Sequence, residues 1–114
     1  MKTLHLTLKK KWFDMIASGE KTEEYRYLSY FFCSRLLLDY HRSNKVRFGG
    51  PEIDVIESYE TKSFDTVTFT NGYRSDSPKI TLEFKGIEIS TGNPEWGAEP
   101  GKKYFVIKLG EKII

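Results

Sequence analysis

The chain has 114 residues, 15% of them aromatic, and its 18 basic and 16 acidic side chains leave a formal charge of +2. One domain of ordinary size with an aromatic core fits these figures; disorder and fibrous repeats do not. Charge so nearly balanced excludes a protein that coats DNA, so any contact with a polyanion has to come from a local patch.

Leu4, Leu6 and Leu8 alternate with His5, Thr7 and Lys9, which predicts a half-buried strand over residues 4–9. From Lys11 the period turns helical through Trp12, Phe13, Met15, Ile16 and Ala17, and Gly19 stands where a left-handed cap would end that helix. The charged run Gly19-Glu20-Lys21-Thr22-Glu23-Glu24-Tyr25-Arg26 comes next. Residues 27–42 then lack Gly and Pro, and Leu28, Phe31, Phe32, Arg35, Leu36 and Asp39 recur at three- and four-residue intervals, predicting a second helix. Residues 43–64 carry a weaker signal, with a turn at Phe48-Gly49-Gly50-Pro51 and a short edge element around Ile53, Val55 and Ile56. This stretch is long for a loop and reads as an insertion or mobile region.

Beyond it the pattern is β. Residues 66–70 alternate, Asn71-Gly72 opens a turn that runs to Pro78, and residues 79–89 form a long strand with Ile80, Leu82 and Phe84 on one face. Gly86 sits where a bulge would bend that strand. Residues 92–101 form a structured loop around Trp96, and residues 104–109 are the last strand. The order predicts a single α+β domain over residues 1–114, built on a curled sheet or β-barrel with two flanking helices. Cys33 is the sole cysteine, so no internal disulfide exists, which suits a reducing compartment. With neither a signal-like start nor a span long enough for a bilayer, a cytoplasmic protein without a membrane partner is expected.

Lys21, Glu24 and Arg26 are the strongest chemical candidates. On an exposed helix, Lys21 and Glu24 would be an ordinary charge pair. Gly19 argues instead that the run leaves a turn, and in an extended segment Glu24 and Arg26 share a side, with Lys21 able to join them if the chain turns near Thr22. Arg26 suits a phosphate or carboxylate, Glu24 a base edge or general-base role, and Lys21 a point charge or proton acceptor.

Gly19-x-Lys21-x-x-Glu24-x-Arg26 after an amphipathic helix resembles the signature of the ASCH domain family, whose members look like PUA domains. The opening Leu4-His5-Leu6-Thr7-Leu8, the helix residues 12–16, Phe69-Thr70-Asn71-Gly72-Tyr73, Trp96-Gly97 and the closing strand resemble a bacterial and phage-type subgroup of it. The resemblance implies a PUA-like β-barrel whose cleft, lined by Lys21, Glu24 and Arg26, takes RNA or a nucleoside- or nucleotide-like ligand. One branch of the family is an amidohydrolase acting on N4-acetylcytidine, and another is reported as a ribonuclease. The amidohydrolase branch carries a Thr nucleophile where this chain has Glu24, so the match there is confined to Lys21.

The remaining candidates each have a plainer reading. Asn71 and Tyr73 belong to a hairpin turn, or overhang the cleft with Tyr73 stacked on a base and Asn71 bonded to its edge. Glu83, mid-strand, faces solvent or supplies a second carboxylate. Trp96 is a core lid or a stacking platform. Lys9-Lys10-Lys11 is a solvated corner or a phosphate contact. His5 and His41 have no metal-ligand spacing, no cofactor motif is present, and Cys33 reads as a packed residue.

Overall fold

The leucine alternation becomes strand β1, Thr3–Leu8, with Leu4, Leu6 and Leu8 all buried. The structure is a computed structural model and describes residues 1–40 and 52–113. The predicted turn at 48–51, His41 and the end of the second predicted helix lie outside the described residues. Helix α1, Lys10–Ala17, follows β1 and buries Phe13 and Ile16, three residues apart on one face. Gly19 takes φ +86° and its N–H bonds the Ile16 carbonyl at 3.1 Å, so the predicted left-handed cap forms. The chain leaves that cap into strand β2, Glu23–Arg26.

Helix α2, Tyr30–Leu36, begins at Ser29, whose hydroxyl accepts the Phe32 N–H at 3.3 Å. It stops earlier than its periodicity predicts. At Leu37 the backbone is extended and bridges Thr61, while the Leu38 N–H bonds the Glu60 carbonyl at 2.8 Å and the Lys62 N–H bonds the Leu36 carbonyl at 2.7 Å. Those distant partners take the place of the next helical turn.

The edge element expected near residues 53–56 is a helix instead, α3, Ile53–Glu57. A strand would set Ile53 and Val55 on one face and Ile56 on the other. In the structure Ile56 is fully buried, Ile53 is half-buried and Val55 is exposed, which is the three-residue spacing of a helical turn. The described residues therefore hold three α-helices rather than two, and a 3-10 turn at Pro94–Trp96.

Strands β3, Thr66–Asn71, β4, Lys79–Thr91, and β5, Lys103–Lys112, complete one five-stranded sheet in the order β1-β3-β4-β5-β2. β1 and β3 run parallel with Leu8 opposite Asn71, and β3 and β4 form the predicted antiparallel hairpin. As an inner strand β3 is covered on both sides, and its buried Thr68 shares a 2.7 Å hydrogen bond with Thr81. The fold is thus mixed α+β.

The chain forms two compact units: Met1–Glu24, Phe64–Gly86 and Ile107–Ile114 in the first, Tyr25–Ser63 and Ile87–Val106 in the second. Leucines of β1 with Phe13, Ile16, Val67 and Phe69 build the core of the first. In the second, Tyr25 packs on a buried cluster of Ala98, Tyr104 and Val106. β4 passes from one unit to the other after Gly86, which takes a φ of +125° within the strand.

Candidate functional site

The Gly19 cap turns the chain back on α1, and the Lys21 N–H bonds the Met15 carbonyl at 3.0 Å. This directs the Lys21 side chain inward, where the residue is only 1% exposed. Its Nζ donates to the Glu23 carbonyl at 2.7 Å and stands 3.1 Å from Glu24 Oε1. Glu24 is 6% exposed. The preceding residue on the strand points the other way: Glu23 pairs with Lys108 of β5 at 2.5 Å, and the Thr22 carbonyl accepts the Leu109 N–H at 3.0 Å.

Lys21 and Glu24 are therefore not a helix-face pair. The helix has ended at Ala17, Glu24 is on β2, and both groups are out of solvent. Removing two such ions from water costs several kcal/mol each before their attraction is counted. Contact at this distance, with an added carbonyl acceptor, is what makes that burial tolerable.

Trp12 is a contributor that periodicity hides among the apolar residues of α1. Its ring centroid lies 5.5 Å from Lys21 Nζ and 4.7 Å from Lys11 Nζ, both within cation–π range. A tryptophan directly after three lysines was the available signal, although helical spacing explains it equally well.

Arg26, two residues beyond Glu24 on β2, belongs to the second unit, where its guanidinium carbon lies 5.5 Å from the Phe32 ring centroid. Asn71 and Tyr73 fall elsewhere in the first unit. Together with the Thr7–Lys10 stretch they line a cleft of about 520 Å³ that contains neither Lys21 nor Glu24. Tyr73 is 94% exposed. Glu83 is half-exposed; its Oε1 accepts the Glu111 N–H at 3.0 Å and its Oε2 is 3.7 Å from Lys85 Nζ, a tie between strand residues. Trp96 closes the 3-10 turn.

Cys33 is fully buried, and burial pushes its thiol up to about 11, which keeps it protonated and unreactive near neutral pH. Among the described residues no three His, Cys, Asp or Glu side chains gather as a metal site, and no helix is long and apolar enough to cross a membrane. Comparison of the chain with protein-family models, with curated proteins and with solved structures finds no match. Fold and geometry together define a mixed α+β domain with a buried lysine–glutamate pair at the exit of a glycine-capped helix.

Proposed function

We propose that this protein is an RNA- or nucleotide-binding domain of the ASCH type, PUA-like in fold, with Lys21 and Glu24 as the polar centre of its ligand site. The observation that carries this reading is the buried 3.1 Å contact between them inside the motif-like run 19–26. An apolar pair would fill the same space without the desolvation cost, so a charged pair kept there points to a role in ligand recognition. Arg26, in the second unit, is kept as a phosphate-binding candidate on the chemistry of its guanidinium and its place in the run 19–26.

Binding is favoured over the hydrolase alternative by the residue at position 24. The amidohydrolase branch uses a threonine hydroxyl there as its nucleophile, whereas this chain carries Glu24, a carboxylate 3.1 Å from Lys21 Nζ. The test is fluorescence anisotropy of a labelled single-stranded RNA on the full chain. Affinity is expected to fall on Arg26→Ala and on Lys21→Met, with the fold of each variant checked by circular dichroism. Incubation with N4-acetylcytidine followed by mass spectrometry is expected to return it intact; release of cytidine that Lys21→Met abolishes would replace binding with hydrolysis.

A further inference from the structure

We propose that the cleft at the carboxyl ends of β1 and β3 binds a nucleoside monophosphate unit, either free or within a single strand of RNA. The choice of ligand rests on the nucleic-acid reading above, but the cleft shares no lining residue with the Lys21–Glu24 pair. Its location follows from topology. β1 and β3 are parallel and in register to their last residues, so Leu8 and Asn71 end side by side. From there the chain leaves in two directions, through Lys9 into α1 and through Gly72 into the 72–78 turn. The opening between these departures measures about 520 Å³. Such a volume is that of a small-ligand site.

The chemistry at the rims suits the two halves of a nucleotide. On one side are Lys9 and Lys10, both exposed. Lys10 is offset by Asp14 at 2.5 Å, whereas Lys9 has no ion-pair partner among the described residues. α1 places no acidic side chain in its first turn, so these cations add to the positive end of the helix dipole, and a phosphate would relieve that excess. On the other side Tyr73 holds its ring in solvent, without a ring contact among the described residues. A base stacked on it would bury both faces in contact. Asn71, between the two rims, has no side-chain hydrogen bond among the described residues and offers both a donor and an acceptor to a base edge.

The experiment uses the full chain with two probes, a fluorescein-labelled single-stranded oligo(A) read by anisotropy and AMP read by NMR. Tyr73→Ala is expected to weaken oligo(A) binding about tenfold, and Tyr73→Phe to restore it, since stacking needs the ring and not the hydroxyl. Lys9→Ala with Lys10→Ala is expected to lower the salt slope by about one to two. These side chains are exposed, so the variants keep the fold. If oligo(A) binds and the cleft variants bind as tightly as wild type while Lys21→Met does not, the cleft proposal is overturned and the Lys21–Glu24 reading stands. If oligo(A) fails to bind but AMP shifts the Tyr73 ring resonances, the cleft is a free-nucleotide site and the RNA reading falls. Silence from both probes overturns both.

Discussion

At the scale of single residues, the Lys21–Glu24 pair sets the largest expected effects. Lys21→Met removes the cation that stands 3.1 Å from the Glu24 carboxylate, itself only 6% exposed. A loss of about 3–5 kcal/mol follows, read as a lower urea midpoint. Combining it with Glu24→Leu removes the buried carboxylate as well and is expected to recover most of that loss; a double variant as unstable as the single would show that packing, not charge, holds the site. Cys33 gives a second prediction through pH. Burial raises its thiol from 9.0 to about 11. Below pH 9 the thiol is protonated in both states and stability is unaffected. Between pH 9 and 11 only the unfolded chain releases the proton, so stability falls as pH rises. Tyr40 shifts upward too, by burial first and then by Cys33, and adds to the fall above pH 10. Denaturation curves of Cys33→Ala across this window should be flatter than those of wild type. The packed thiol was legible from its apolar helical setting, whereas the burial of Lys21 and Glu24 was not, because burial of a polar group depends on partners that the local pattern does not specify.

Elements were legible where a period of two or of 3.6 ran unbroken. β1, α1, β3 and β4 fall within a residue or two of the pattern, β5 runs three residues past its predicted end, and Gly19 ends α1 as its position predicts. α2 fell short of its pattern because residues 36–38 exchange helical bonds for bonds to residues 60–62, a choice made by long-range pairing. α3 was missed because one turn of helix and a short strand read alike in so few residues. Within the second unit, Gly92 shows how tightly an element can depend on one small residue. A methyl group there would meet the Tyr25 ring at 2.6 Å and Ala98 Cβ at 2.8 Å, while the Asn93 N–H holds the Tyr25 hydroxyl at 2.9 Å. Gly92→Ala is expected to cost about 1–3 kcal/mol by overpacking, with a matching drop in thermal midpoint. Ser29→Ala, which removes the cap of α2, should cost about 1 kcal/mol in the same assay.

For the molecule as a whole, strand order was beyond the sequence pattern. Alternation shows that a strand exists but not which strand lies beside it, and the parallel β1–β3 pair joins residues more than sixty positions apart. That pairing is what sets Lys9 and Lys10 against Asn71 and Tyr73, so the cleft was as hidden as the topology, although all four residues stood out singly. Global charge sets the remaining expectation. With a net charge of only +2, the chain as a whole offers a polyanion little long-range attraction, and affinity for RNA must be local. The densest basic cluster beside the cleft is Lys9-Lys10-Lys11. Three phosphate contacts on a single strand give a salt slope of roughly −2, so raising salt from 50 to 200 mM should weaken binding only about twentyfold. A protein that coats nucleic acid loses about a thousandfold or more over the same range. Anisotropy titrations of oligo(A) at four salt concentrations measure the slope directly. A value near −2 that moves toward zero on Lys9→Ala with Lys10→Ala assigns the contact to this cluster, whereas a slope of −5 or steeper would require a basic surface much larger than the three lysines supply.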